Sequence, residues 1–156
     1  MKKLTWKLVI PLTVISFVAF TKWWYVLVTD GTDTFFRGFP FAYICDGWAT
    51  SMSLYVFIPP LIADVFIYFA FWFIAVYCIR RYLVPIKINK FITTILLSIT
   101  ILIIAFNTWV LSFKENEFYF KRDFDIEIMT TGNRFIWQSK QRPDFLKYHP
   151  EKRNKP

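Results

Sequence analysis

The sequence predicts an all-α membrane protein with three transmembrane helices, at about 8–28, 54–79 and 91–113, and a short β-hairpin at about 117–139. Hydrophobic residues make up 56% of the 156 residues and gather in three long runs, whereas charged residues make up only 19%. A helix of about 20 apolar residues crosses a hydrocarbon core about 30 Å thick. We therefore expect a transmembrane domain over 1–113, with an outer loop at 29–53, and an extracytoplasmic tail over 114–156.

The first apolar run, 8–28, contains a single charge, Lys22. Lys2, Lys3 and Lys7 precede it, as basic residues precede the apolar part of a signal peptide. The small residues of a cleavage site are missing, however, because the run continues through aromatic residues. The pattern therefore predicts a helix that is retained as a membrane anchor.

The second run, 54–79, is longer than a straight span requires and contains Asp64 and the pair Pro59-Pro60. Prolines inside a helix remove backbone donors and bend it. Prolines in the first turn are tolerated, because the N–H groups there have no partner within the helix. The sequence leaves both interpretations open: a kinked helix, or a helix that begins near Pro59.

The third run, 91–113, carries no charge and is the clearest of the three. Thr93, Thr100 and Asn107 recur at intervals of seven residues. This spacing places the three polar side chains on one face of a helix. Such polar stripes are typical of the faces by which membrane helices pack together.

Basic residues predict the orientation in the membrane, because cytoplasmic loops are enriched in lysine and arginine. Seven lie at the amino terminus and in the 80–90 link, against four in the outer loop and the start of the tail. The two sets are Lys2, Lys3, Lys7, Arg80, Arg81, Lys87 and Lys90, and Arg37, Lys114, Lys121 and Arg122. We expect a bacterial cytoplasmic membrane, with the amino terminus inside and the tail outside.

The tail alternates apolar and polar residues over 117–128, which is typical of a half-buried strand. Residues 129–133 are typical of a turn, and 134–138 of a returning strand. A two-stranded hairpin is marginal in water by itself, so it must lean on the outer loop, the bilayer or a partner. The proline-rich, charged end after residue 139 predicts a poorly ordered terminus.

The outer loop, 29–53, combines turn-forming residues with many aromatic ones. One interpretation places it on the bilayer surface. The other makes it a cap over a cleft between the helices, with Arg37, Asp46 and Trp48 as the residues of the cap.

Two ionisable residues and one amide lie within the apolar runs, in the predicted outer half of the membrane. Such residues are costly in lipid and raise the question of a function or a partner. Lys22, Asp64 and Asn107 form a possible polar cluster between the helices. Alternatively, Lys22 extends outwards to the headgroups and Asp64 is a neutral or partnered packing residue.

Signatures of common enzymes are absent from the sequence. The only histidine is His149, and no HExxH, GxSxG, P-loop or dinucleotide-binding motif occurs. Cys45 and Cys78 form no CxxC pair, and the predicted topology separates them across the membrane. The sequence therefore predicts no catalytic residue, no cofactor and no metal, and it offers nucleic acid no basic aromatic-rich helix.

These features favour a non-enzymatic accessory or interaction subunit of a membrane complex. Its expected partners are the lipid bilayer and either another protein or a second copy, through the transmembrane helices. One alternative is an oligomeric channel or transporter subunit that uses the intramembrane Asp64. A third is a membrane enzyme whose site lies beneath loop 29–53.

Overall fold

A computed structural model describes residues 4–28, 33–47, 50, 53–83, 89–135 and 138 of the chain. Over these ranges the chain forms three helices and one six-stranded mixed sheet. The helices are α1 (Thr5–Ala19), α2 (Ile58–Leu83) and α3 (Lys90–Leu111). The strands are β1 (Phe20–Val28), β2 (Thr34–Arg37), β3 (Ile44–Asp46), β4 (Leu54–Phe57), β5 (Glu117–Tyr119) and β6 (Ile126–Phe135), in the sheet order β5-β4-β3-β2-β1-β6.

The prediction of an all-α protein with three transmembrane helices is wrong, chiefly because of the first apolar run. Helix α1 ends at Ala19, and the second half of the run is strand β1. Seven of the nine residues of β1 are aromatic or β-branched, types that favour strands. Strand β1 pairs with β2 on one side and with β6 on the other. Length and hydropathy could not reveal this, because they do not distinguish a buried strand from a helix.

The second apolar run also begins as a strand, β4, and becomes helical at Ile58. Pro59 and Pro60 lie in the first turn of α2, where their missing N–H groups cost nothing. Of the two interpretations of this run, the later helix start is therefore confirmed. The helix continues to Cys78 and closes with a π-helical turn, Ile79–Leu83.

Helices α2 and α3 are each long and apolar enough to cross a membrane, whereas α1 is shorter. The bounds of α3 lie close to the prediction, and the side chain of Asn89 caps its start by accepting the N–H of Phe91 at 3.1 Å. Helix α1 packs against both α2 and α3. Thr93 and Thr100 of the predicted polar stripe are buried, whereas Asn107 is exposed.

The predicted hairpin in the tail is also wrong, because β5 and β6 lie at opposite edges of the sheet. Strand β5 pairs in parallel with β4, and β6 pairs antiparallel with β1. The predicted turn at 129–133 lies inside β6, whose pairing with β1 includes a bulge beside Tyr25 and Val26. Alternation showed that strands exist in the tail, but it could not show which strand each one pairs with.

One face of the sheet carries the hydrophobic core. Within it the rings of Phe36 and Phe57 are stacked, with their centroids 5.8 Å apart. Phe124, from the segment that joins β5 to β6, packs against both rings. The tail is therefore part of the same core as β1–β4. The buried residues of this cluster are Val26, Phe36, Cys45, Tyr55 and Phe57.

Replacing Gly132 of β6 by alanine should destabilise the protein. Gly132 lies opposite Trp23 of β1, and a Cβ atom added there would come within 2.6 Å of the indole ring. Relieving such a contact costs about 1–3 kcal/mol. Thermal unfolding in detergent measures the change, with Thr131→Ala as the control, because Thr131 is an exposed neighbour on the same strand. Equal midpoints for the two variants would contradict the close packing of Trp23 on Gly132.

The thiol of Cys45 should resist alkylation in the folded protein. Burial raises the pKa of Cys45 to about 12, and the neighbouring Asp46 carboxylate adds to the rise. A raised pKa leaves less thiolate, so reaction with iodoacetamide at pH 8 should be on the order of a thousandfold slower than for a free thiol.

The Cys78→Ser variant isolates this thiol, since Cys78 is the exposed cysteine. Mass analysis should find Cys45 unmodified in the folded protein and modified after denaturation. Equally fast modification in both states would show that the core around Cys45 is open.

Candidate functional site

The connection between β2 and β3, residues 38–43, is a compact turn that we call the FPF loop after Phe39-Pro40-Phe41. Gly38 has a φ of 146°, a conformation that favours glycine, and a Cβ atom there would overlap the carbonyl oxygen of Phe41. The N–H of Tyr43 donates to the carbonyl of Arg37 at 3.0 Å and closes the turn. The conformation of this turn therefore explains why residue 38 is a glycine.

Asp64 of α2 is the residue on which the FPF loop docks. Its side chain is fully buried, and its Oδ1 accepts the N–H of Phe41 at 2.9 Å. Its Oδ2 is also buried, and among the described residues it has no hydrogen-bond partner. The carboxyl group therefore supplies the acceptor for a backbone amide of the loop.

Aromatic residues from α1 and α2 surround this contact. The ring of Tyr43 stacks on Phe17, and Tyr68 meets Phe17 edge-on, with centroids 5.3 and 5.7 Å apart. The hydroxyl of Tyr68 donates to the carbonyl of Phe20 at 3.3 Å, where α1 gives way to β1.

Arg37 and Asp46, two predicted residues of the cap, are paired with each other. Arg37 lies on β2, and its guanidinium donates to the carboxylate of Asp46 on neighbouring β3. The carbonyl of Asp46 accepts from the hydroxyl of Thr34 at 3.2 Å. This pair fastens two strands of the sheet. Trp48, the third predicted residue of the cap, lies outside the described residues.

The structure does not bring together the predicted cluster of Lys22, Asp64 and Asn107. Lys22 lies on β1 and not in a helix, and its Nζ lies 4.0 Å from the ring centroid of Trp24 in a cation–π contact. Asn107 is exposed on α3, and its amide donates to the carbonyl of Ile103 at 2.9 Å. No ion pair joins Lys22 to Asp64 in the part of the chain that the structure describes. The prediction of this cluster assumed that Lys22 lies in a helix.

Sequence reasoning missed the actual neighbours of Asp64, namely the Phe41 amide and the rings of Tyr43 and Tyr68. A signal for Tyr68 was available, since it follows Asp64 by four residues and shares its helix face. A backbone amide from a loop 23 positions earlier carries no such signal.

The chain matches no protein-family model, and neither a curated protein nor a solved structure resembles it. The geometry of its own residues is therefore the basis for a functional proposal.

Replacing Asp64 by leucine should release the FPF loop from α2. The change removes the acceptor of the Phe41 amide, and the loss of a hydrogen bond costs about 0.5–1.5 kcal/mol. Asp64→Asn keeps an acceptor oxygen and should retain much of the stability. Hydrogen exchange at the Phe41 amide should accelerate in the leucine variant and much less in the asparagine variant.

The control is Asn107→Leu, which removes a polar group from an exposed helix position. It should leave exchange at Phe41 unchanged. If Asp64→Leu also leaves it unchanged, the hydrogen bond from Phe41 does not hold the loop.

Proposed function

We propose that this chain is a multi-pass protein of the cell membrane that holds its sheet at the outer membrane surface. The support is the outward surface of α2 and α3, which carries large apolar side chains. Phe66, Phe71 and Leu102 are 68%, 62% and 70% exposed. Water covers such a surface poorly, and the core helix of a soluble protein would be mostly buried. Lipid or a partner helix would cover this apolar surface better than water does.

In this proposal α1 also lies within the membrane, beside α2 and α3. It has 15 residues and is therefore about 22 Å long, which is shorter than the hydrocarbon core. The start of α1, the end of α2 and the start of α3 are the helix ends that do not connect to the sheet. The basic residues that the structure describes near these ends are Lys7, Arg80, Arg81 and Lys90. They thus fall on one side, which the positive-inside rule makes cytoplasmic.

We propose a non-enzymatic accessory or interaction subunit of a membrane complex, and the edge of the sheet carries this proposal. Strand β6 has ten residues and is the last strand of the sheet, with β1 as its one neighbour among the described strands. Long edge strands present backbone groups to which another chain can add a strand. Ile128 on β6 is 50% exposed, which adds apolar area for a partner at this edge.

A second candidate is an oligomeric channel or transporter subunit that uses Asp64. One observation favours it: Oδ2 of Asp64 is buried without a partner among the described residues. Intramembrane carboxylates often mark ion or proton routes. Against it, Oδ1 already has a structural role in holding the FPF loop.

Native mass spectrometry of the tagged protein, extracted gently from its own membrane, separates the two candidates. A stoichiometric foreign protein supports the accessory role. A defined homo-oligomer supports the channel, and Asp64→Asn should then abolish flux in proteoliposomes. A monomer without a partner would contradict both proposals.

Ile128→Arg tests whether the edge of β6 is the interaction surface. A charge at the centre of an apolar contact is costly, so the variant should lose the foreign partner at least tenfold in yield. The matched control is Lys121→Glu, an equally exposed change of charge outside the edge strand. Equal recovery of the partner with both variants would place the contact elsewhere, on the helices.

A further inference from the structure

The FPF loop lies beside a helix that is proposed to cross the membrane. The N–H of Phe41 reaches Asp64, which is six residues after the first residue of α2. Six residues correspond to about 9 Å along a helix. The tip of the loop therefore lies next to the second turn of α2, where the outward surface consists of Ile62, Val65 and Phe66.

Several backbone groups of the loop have hydrogen-bond partners within the protein. The N–H of Gly38 donates to the carbonyl of Lys22 at 3.0 Å, and the carbonyl of Gly38 accepts the indole N–H of Trp24 at 3.3 Å. The carbonyl of Tyr43 accepts the N–H of Phe57 at 2.8 Å. Pro40 has no N–H group, and the N–H of Phe41 donates to Asp64. Non-helical backbone is tolerated at membrane depth when protein groups satisfy it in this way.

The two phenylalanine side chains of the loop, in contrast, are exposed and apolar. Phe39 and Phe41 are 39% and 50% exposed, and no charged residue occurs between Gly38 and Tyr43. The ring of Phe39 lies against Phe20, which in turn contacts Phe135, so the exposed rings continue into an aromatic cluster. The loop thus directs hydrogen-bonding groups into the protein and exposes uncharged aromatic rings. Such a surface is more stable in hydrocarbon than in water.

We propose that the FPF loop is a re-entrant anchor that inserts Phe39 and Phe41 into the outer leaflet of the bilayer. The occupant of this surface is lipid, because the loop continues the exposed apolar surface of α2 at the same depth. The inference rests on the proposed membrane-spanning role of α2. It also gives Asp64 a purpose: its carboxyl group supplies, inside the membrane, the acceptor that water would supply outside.

A nitroxide label measures the depth of the loop in the full chain. Phe41→Cys is made in the Cys78→Ser background, labelled in detergent, and reconstituted into nanodiscs of phosphatidylcholine and phosphatidylglycerol. Collision rates with oxygen and with a water-soluble nickel chelate are then compared. Oxygen concentrates in hydrocarbon and the chelate in water, so the oxygen-to-nickel ratio reports depth.

Two control positions calibrate the ratio. Phe66→Cys lies on the outward surface of α2, and Lys121→Cys lies on an exposed segment beside the sheet. At Phe41 the ratio should match that at Phe66 and exceed that at Lys121 at least fivefold. If the Phe41 variant does not fold, Phe39→Cys gives the same readout.

The outcomes separate the two proposals. A water-accessible label at Phe41 together with a lipid-protected label at Phe66 overturns the re-entrant anchor and leaves α2 in the membrane. Water-accessible labels at both positions overturn the membrane-spanning role of α2, and the re-entrant anchor with it.

Discussion

The hydrogen bond from the Phe41 amide to Asp64 is the contact on which the arrangement of this protein depends. It joins a loop of the sheet to the side of an apolar helix, and it gives the fully buried side chain of Asp64 a partner. A buried polar group without a partner is costly, so Asp64 depends on this amide. Because the loop joins β2 to β3, this bond also connects these two strands to α2.

Two further contacts join the sheet to the helices in the same manner. The Tyr68 hydroxyl bonds the carbonyl of Phe20, at the residue where α1 becomes β1. The side chain of Asn116 accepts the N–H of Leu54 at the start of β4 and donates to the carbonyl of Val110 near the end of α3. Helix α1 continues directly into β1, so the sheet is attached to all three helices.

The sequence-based predictions were accurate where the stabilising interactions are local along the chain, and inaccurate where they join distant segments. Helix α3 was predicted to within two residues, because an uncharged run with a local Asn89 cap needs no distant partner. The start of α2 was one of two alternatives, since Pro59 and Pro60 suit a first turn as well as a kink. The sequence placed Asp64 with Lys22 and Asn107, whereas the structure places it against the Phe41 amide, a backbone group in a distant loop that has no sequence signature.

By itself, the sequence determined the apolar character of the chain, the two long helices and the presence of strands in the tail, since composition and local periodicity decide these. Only the tertiary structure decided that 20–28 is a strand, that β5 and β6 lie at opposite edges, and that Lys22 contacts Trp24. The physical reason is that a strand is stabilised by its neighbours. Residues 20–28 are apolar enough for a helix, but β2 and β6 are available to pair with them, and pairing satisfies the same backbone groups.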